Sequence, residues 1–398
     1  MNNIKYLFYA FIVLLLASCS DNESRTTPPV DIALTQNEQA VANKQNNFGF
    51  KLLRAAIKNK TSPCVAVSTY SASQVLAMLA NGANGETLSE IISALGDAGA
   101  DINEINSYYK KLNDGLAITD KSTKFESVNA IWASKDHTFN NDFVKNNEEY
   151  YDALLKSFST YEEITDWYKK NYTKDIYSSI ENLLNGKKGT YNGLTINNTV
   201  YFNGKWQNKF EKSEGGDNTF YGENGATKAN MMTVESAFSA FSGTHCSAIG
   251  MNYGNGAYSM MVVLPDEDSN TSEVLDDLCN DGLNGMKRYS TLVTVKMPKF
   301  TYTRTADLCR VFKAMGLSHI QPGEYPNITS GGFSIDKFIQ YIYVNVDEDG
   351  TVVKASTSSP SHPTSPIYDF FLVNRPFIWI IKENSTNTIL FLGKVGAV

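Results

Sequence analysis

The feature that most constrains this chain is a polar segment that interrupts an apolar framework near the C-terminus. The segment from Lys354 to Pro366 is rich in Ser, Thr and Pro and contains no large apolar side chain. The strongly apolar stretch from Ile367 to Val398 follows it, and about 30 residues cannot bury a core of their own. That stretch must complete a core begun earlier. The polar segment is then a long loop within one domain, and such loops are usually functional or disordered. By composition alone, however, it is also typical of a solvated linker.

The N-terminus has the pattern of an export signal. Lys5 precedes an apolar stretch, Leu7 to Ala17, that is too short to be a permanent membrane span. The sequence Leu16-Ala17-Ser18-Cys19 resembles the bacterial lipobox, in which cleavage before Cys allows the thiol to carry a diacylglycerol. We therefore predict a lipoprotein signal peptide at residues 1–18 and a lipid on Cys19. An ordinary secretory signal is the alternative.

Residues 19–36 are polar, contain two prolines and have no periodic apolar face, so they predict a lipidated tether. Ser20 rather than Asp follows the Cys, which in such lipoproteins usually permits transfer to the outer membrane. The acidic stretch from Ser20 to Glu23 weakly resembles surface-export signals. The predicted location is therefore the outer membrane, with a lipid anchor and exposure at the cell surface as a further possibility.

Charge and composition after the tether limit the partners. The whole chain has a net charge of −7, and removing residues 1–18, which contain one Lys, makes it −8. Without a stripe of Lys and Arg there is nothing to release counterions from nucleic acid, so we exclude nucleic acid as a partner. No break in composition occurs after residue 36. We therefore predict one large domain, residues 37–398, and a monomer.

The sequence has no pattern of catalytic or metal-binding residues. The four His residues form no metal-binding motif, and no Gly-x-Ser-x-Gly occurs. The acidic stretch 266–270 lacks the Gly and Glu of a calcium loop, since Thr271 and Asp277 occupy those places. We predict an acidic turn there, no cofactor, no metal and no enzymatic activity. The four further cysteines, Cys64, Cys246, Cys279 and Cys309, fit no zinc or redox spacing. Because Cys64, Cys246 and Cys309 lie in apolar surroundings, we predict buried free thiols rather than disulfides.

Periodicity predicts an α+β fold. Helices are expected mostly in the first half of the chain, and strands mostly in the second half, without a regular βαβ order. The predicted helices include residues 47–58, 71–83, 87–95, 162–184 and 305–315. The predicted strands include residues 195–202, 258–264, 291–297 and 338–346.

Several separated segments resemble, in the right order, motifs of the serpin family. They are Val67–Ala83, Asn197–Trp206, Ser259–Asp266, Met297–Phe300 and the closing stretch Asn374–Val395. The resemblance covers roughly residues 37–398. It implies the serpin fold: a single large domain with three β-sheets, eight to nine helices and an exposed reactive-centre loop at about residues 348–369.

The resemblance also assigns roles to individual residues. Two groups of the family fall on this sequence: the shutter near the middle of the main sheet, and the breach where the loop enters that sheet. The shutter residues are Ser68, Ser71, Asn198 and Gln340, and the breach residues are Trp206, Lys299 and Glu348. Gln340 replaces the usual His, which would preserve hydrogen bonding with Asn198 but remove a pH response. Lys299 is expected to pair with Glu348.

Serpins inhibit serine proteases by a suicide mechanism, and the resemblance implies the same here. The protease cleaves the loop and forms an acyl-enzyme, and the freed segment inserts into the main sheet as a new strand and traps the covalent complex. Insertion requires a hinge that bends freely and whose inward-facing residues are small. The hinge residues here are Glu348, Gly350, Thr351, Val353 and Ala355. Bulky residues at 352–354 and Pro360 argue for the alternative, a non-inhibitory serpin that is a substrate or a surface binding module.

Counting along the loop locates the reactive bond. Counting from the hinge gives Thr364, whereas counting back from Asn374 gives Ser365. Most serine proteases reject Pro just after the scissile bond, and Pro366 follows Ser365. The preferred bond is therefore Thr364–Ser365. A small β-branched residue there suits an elastase-like or broad-specificity serine protease.

Overall fold

The computed structural model describes residues 27–58, 62–96, 99–191, 193–214, 216, 218–320, 323–329, 338–351 and 369–398. Nine α-helices lie within these residues. They are α1 Gln36–Lys58, α2 Thr69–Ala80, α3 Gly85–Leu95, α4 Ile102–Leu116, α5 Asn141–Tyr151, α6 Tyr161–Asn171, α7 Lys174–Leu184, α8 Thr271–Asp281 and α9 Cys309–Ala314.

The described residues also form seventeen strands. They are β1 Val65–Val67, β2 Lys124–Ser134, β3 Leu154–Phe158, β4 Leu194–Lys205, β5 Glu211–Lys212, β6 Thr219–Gly222, β7 Gly225–Lys228, β8 Met231–Ser242, β9 Cys246–Tyr253, β10 Tyr258–Pro265, β11 Lys287–Pro298, β12 Phe300–Asp307, β13 Ile339–Asp347, β14 Gly350–Thr351, β15 Asp369–Leu372, β16 Phe377–Glu383 and β17 Ile389–Val395.

The strands form three sheets. The largest has the order β1-β17-β16-β10-β9-β8-β11-β15, with β5 paired to β8. A six-stranded sheet, here called the main sheet, has the order β12-β13-β14-β4-β2-β3, and β6 and β7 form a separate hairpin. The α+β architecture with three sheets and nine helices in the described part agrees with the sequence prediction.

The apolar C-terminal stretch forms the centre of the core, as its composition predicts. Strands β16 and β17 pair antiparallel, and nearly all their side chains are buried. Helix α2 is buried along its whole length beside β17 and β4. Its N-cap is Ser68, whose hydroxyl accepts a hydrogen bond from the Ser71 N–H. The chain thus closes its core with the residues after the polar loop.

Two predicted helices differ from the structure. The segment 162–184 forms two helices, because Tyr172 adopts an extended conformation and ends α6. Its ring stacks on Tyr168 with a centroid distance of 5.3 Å, which favours the break. The predicted helix at 305–315 begins only at Cys309, since residues 305–307 continue β12 and pair with β13. The alternating Thr residues of β12 outweigh the helical periodicity there.

The folded body includes residues ahead of α1. Ile32 is buried, and its N–H donates to Ser385 Oγ at 2.9 Å, while the Val30 N–H donates to the Thr119 carbonyl at 3.3 Å. The end of the predicted tether therefore packs on the domain. Cys19 lies outside the described residues. The other four cysteines are free thiols, as predicted. Only Cys246 and Cys279 are buried, however, whereas Cys64 and Cys309 are partly exposed, which corrects the predicted burial of these two.

Candidate functional site

The candidate site is the place where the main sheet meets the polar loop. Strand β14 lies between β13 and β4 but contains only Gly350 and Thr351. The next described residue is Asp369, the start of β15, which pairs parallel to β11 in the largest sheet. Residues 352–368 therefore connect two different sheets. Val353, Ala355, Thr364 and Ser365, which carry the predicted hinge and reactive bond, lie outside the described residues.

Below Thr351, β13 and β4 are not joined by a β-ladder in the described part of the chain. Two small cavities lie along the line between these strands. The upper one is lined by Val200 to Phe202 of β4 and by Tyr341, Tyr343 and Val344 of β13, with Ser179 of α7 also lining it. The lower one is lined by Ile196, Phe338 and Gln340, together with residues of α2 and α9. We call this line between β4 and β13 the slot.

At the top of the slot, Trp206 holds the loop start by its indole and its backbone. Trp206 Nε1 donates to the Asp347 carbonyl at 2.8 Å, and the Trp206 N–H donates to the Asp349 carbonyl at 3.0 Å. The Trp206 ring stacks on Tyr253, with centroids 4.4 Å apart and an angle of 14°. The N–H of Phe210 donates to the Glu348 carbonyl at 3.1 Å. The indole that the resemblance assigns to the breach is therefore bonded directly to the hinge.

Two ion pairs flank the hinge. Lys299 Nζ lies 3.0 Å from Glu348 Oε1, the pair that the sequence predicts, and Lys209 Nζ lies 2.6 Å from Asp349 Oδ1. All four side chains are partly exposed, so each pair contributes about 1 kcal/mol or less. These pairs therefore contribute little to the stability of the fold, and their main effect is to orient the hinge.

Thr351 is the last residue of the hinge that the structure describes, and it is buried. Its exposed fraction is 2%, and its Oγ1 lies 2.7 Å from the hydroxyl of Tyr253. Burial raises the pKa of Tyr253, so this hydroxyl stays protonated at physiological pH. One phenol thus contacts both Trp206 and Thr351. This role of Tyr253 was not predicted from the sequence.

Position 350 must be glycine for β14 to pair with β4 as observed. Its φ is 149°, a conformation that side chains disfavour, and a Cβ there would overlap the backbone carbonyl of Gly204. The Lys205 Cα would lie 2.7 Å from that Cβ. Close backbone approach, rather than turn flexibility alone, explains the hinge glycine.

The predicted shutter residues lie together, but their hydrogen bonds differ from the prediction. Gln340 binds the backbone of Ser68 twice: its Oε1 accepts from the Ser68 N–H at 3.0 Å, and its Nε2 donates to the Ser68 carbonyl at 2.9 Å. The hydroxyl of Ser71 donates to the backbone carbonyl of Asn198 at 3.1 Å. The amide of Gln340 thus ties β13 to the start of α2.

The side chain of Asn198 points away from Gln340, which corrects the predicted network between them. Asn198 Nδ2 donates to Ser127 Oγ at 2.7 Å and to Asn129 Oδ1 at 2.8 Å, both on β2. Asn198 and Asn129 are directly opposite in the β2–β4 ladder, so their amides meet across the strands. The contact of β4 with α2 runs instead through the Asn198 backbone.

A buried chain of amides extends the shutter further than the sequence predicted. Asn129 Nδ2 donates to Gln74 Oε1 at 2.7 Å, and Gln74 Nε2 donates to Asn113 Oδ1 at 2.6 Å. The Tyr70 hydroxyl also donates to Asn113 Oδ1, at 2.6 Å. Gln74 is fully buried. A glutamine directly before the apolar stretch Val75–Ala80 of α2 was the sequence signal for this network.

Within the described residues there is no group of His, Cys, Asp or Glu side chains that could hold a metal ion. The acidic stretch 266–270 forms a turn that leads into α8, and Asn270 caps this helix in a capping box with Glu273. Over the same residues, none of the helices is long and apolar enough to span a membrane.

A two-residue strand thus lies between β13 and β4 at the top of the slot, and the chain that leaves it rejoins the described structure in a different sheet. The family model for serpins, described as serine protease inhibitors, matches residues 43–397. The chain belongs to the serpin family. Serpins are generally protease inhibitors rather than enzymes, although some are non-inhibitory.

Individual serpins are similar to this chain over most of its length. Glia-derived nexin of Mus musculus is 26% identical over 375 residues, which cover 88% of this chain and 91% of that protein. The native state of the thermophilic serpin Tengpin has 23% identity and a TM-score of 0.76, covering 94% of this chain and 97% of that chain. AtSerpin1 of Arabidopsis, in its native stressed conformation, has 22% identity and a TM-score of 0.76, covering 92% and 99%.

Proposed function

We propose that this chain is a suicide inhibitor of serine proteases that traps the acyl-enzyme by inserting its cleaved loop into the main sheet. The observation that supports this best is the hinge: β14 ends at Thr351, between β13 and β4, and the slot lies directly below it. A strand continuing from Thr351 would complete both flanking ladders. Each added backbone hydrogen bond would contribute ~0.5–1.5 kcal/mol, which over ~14 residues provides the driving force to hold the protease.

The loop sequence supports an elastase-like or broad-specificity target. Residues that would face inward after insertion, such as Val353 and Ala355, are uncharged, and Lys354 would face outward and stay hydrated. Thr364 at the proposed reactive bond suits a shallow apolar pocket, whereas trypsin-like proteases require Lys or Arg. The alternative is a non-inhibitory serpin, which the bulky residues 352–354 and Pro360 would favour if they slow insertion relative to deacylation.

The test is incubation of the purified chain with pancreatic elastase at several molar ratios. We expect an SDS-stable adduct with the summed mass of protease and serpin, and mass spectrometry should place the cleavage between Thr364 and Ser365. Trypsin serves as the matched control and should form little adduct. Cleaved loop without adduct at every ratio and temperature would support the non-inhibitory alternative.

We also propose that the protein is anchored to the outer membrane by a lipid on Cys19, with the domain following as a monomer. The lipobox-like residues Leu16–Cys19 support this, and stable anchoring would need at least two acyl chains. A Cys19→Ala variant should then move from the membrane fraction to the soluble fraction, while Cys64→Ala should not. Membrane association that survives Cys19→Ala would count against the anchor.

A further inference from the structure

The outer face of the largest sheet carries two large apolar side chains in contact with solvent, at the edge where the chain returns from the polar loop. Phe370 of β15 is 57% exposed, and Leu292 of β11 is 45% exposed. The other face of these two strands packs on the core, since Val293 and Val295 are buried and Phe371 contacts the core. The two strands therefore bury one apolar face and present apolar side chains on the other.

The register of the strands places these side chains side by side. Strand β15 pairs parallel with β11, and Phe370 is directly opposite Thr294. Leu292 precedes Thr294 by two residues, so it projects from the same face and is a diagonal neighbour of Phe370. Ala237 of β8 is opposite Leu292 and is also exposed. The three apolar residues thus lie on three consecutive strands, and we call Ala237, Leu292 and Phe370 the apolar face.

Polar residues border the apolar face. Glu235 of β8 is exposed and is opposite Thr294, while Ser290 of β11 is exposed and is opposite Ser239. Among the described strands, β15 is at the end of the sheet order, so a partner can approach the face from this edge. Single exposed apolar residues are ordinary, but contiguous ones with a polar border mark an interaction site.

The length of chain between the proposed reactive bond and the apolar face determines what covers it. Phe370 follows Ser365 by five residues, which span at most ~18 Å even when fully extended. A protease domain of ~200 residues has a radius of gyration of about 16 Å, so its body is roughly 40 Å across. A protease bound at Thr364–Ser365 is therefore wide enough to reach the apolar face.

We propose that the apolar face is a docking surface for the target protease, which contacts it on the C-terminal side of the cleaved bond. The docking surface rests on the proposed function, because the position of the protease follows from the reactive bond. An apolar side chain on the rim of the protease packs between Phe370 and Leu292. Glu235 at the border favours a basic neighbour on the protease over an acidic one.

Docking on this face increases the rate of encounter without holding the trapped protease. On cleavage, the protease serine forms an ester with the Thr364 carbonyl, and the amine of Ser365 leaves. The apolar face remains connected to Ser365, whereas the protease moves with Thr364. The face therefore determines how fast the loop is recognised, and the later insertion into the slot does not depend on it.

The experiment measures the second-order rate constant for loss of the intact chain in the presence of pancreatic elastase, counting adduct and cleaved chain together. We expect Phe370→Ala and Leu292→Ala each to lower this constant ~5- to 10-fold, since each removes an apolar contact at the centre of the surface. Ile118→Ala is the matched control, because Ile118 is 55% exposed and lies at the end of α4. All three positions are exposed, so the thermal midpoints should stay close to that of the wild type.

Slower loss of both face variants, with the control and the stoichiometry of inhibition unchanged, would support the docking surface. Loss of both variants at the wild-type rate would overturn it, and so would cleavage of the wild type outside the polar loop. A wild-type dimer in sedimentation that Phe370→Ala makes monomeric would assign the face to a second copy of this chain instead. Cleaved chain without adduct would refute the trapping mechanism alone, because the rate comparison does not require an adduct.

Discussion

A Thr351→Arg variant is expected to be cleaved by an elastase-like protease without trapping it. Thr351 is 2% exposed and its hydroxyl contacts the Tyr253 hydroxyl, so an Arg at this position would have to bury a charge in place of a neutral side chain. Thr351 already lies between β13 and β4, so this cost arises at the point from which the inserted strand must continue. Insertion would slow, and deacylation would release the protease before it is distorted.

The measurement is the stoichiometry of inhibition, the number of serpin molecules consumed per protease trapped. We expect it to rise at least ~10-fold in Thr351→Arg, with cleaved serpin replacing the adduct on SDS gels. Thr227→Arg is the control, since it makes the same change at an exposed position of β7 and should leave the stoichiometry unchanged. An unaltered stoichiometry in Thr351→Arg would refute the insertion mechanism while leaving the fold assignment intact.

A Gln340→Ala variant should lose about 1–3 kcal/mol of stability. Both Gln340 and Ser68 are almost fully buried, and the Gln340 amide binds both the N–H and the carbonyl of Ser68. Truncation leaves the Ser68 N–H without a partner where β13 meets α2, whereas the Ser68 carbonyl still accepts from the Ala72 N–H at 3.1 Å. The midpoint of the first urea transition measures the loss, and Gln207→Ala, which removes a single bond to Asn252, should change it little.

A second variant, Gln340→His, introduces the residue that is usual in the family and tests the same contact by its dependence on pH. In Gln340→His, a neutral ring nitrogen can still accept from the Ser68 N–H, but the protonated ring cannot. The folded state would therefore lower the pKa of the His below its unfolded value. Its contribution would be present above about pH 6.5 and lost as the pH falls, whereas the wild type would show no such step. A Gln340→Ala protein as stable as wild type would show that the Ser68 bonds matter little.

The sequence predicted the framework better than the contacts within it. The burial of the stretch that forms β16 and β17 was evident, because a continuous apolar run of this kind must join a core. The pairing of Lys299 with Glu348 followed from the resemblance. The direction of Asn198 was not predictable, since it depends on the register that sets it opposite Asn129. Register is a property of two strands at once, and single-strand periodicity does not contain it.

One other feature escaped the sequence for a related reason. The break between α6 and α7 depends on the packing of Tyr172 against Tyr168, a tertiary contact that overrides helical periodicity.

The pairing of the first strand with the last has a consequence for the order of assembly. Strand β1 is hydrogen-bonded to β17, with Val65 opposite Lys394, and α1 donates from Asn46 Nδ2 to the Asn387 carbonyl. Every other strand precedes β17 along the chain, so a ribosome must deliver almost the whole polypeptide before these early elements find their partners. Such high contact order keeps the nascent chain open until synthesis is nearly complete. The closure of this fold is therefore a late event, which waits for the synthesis of β17.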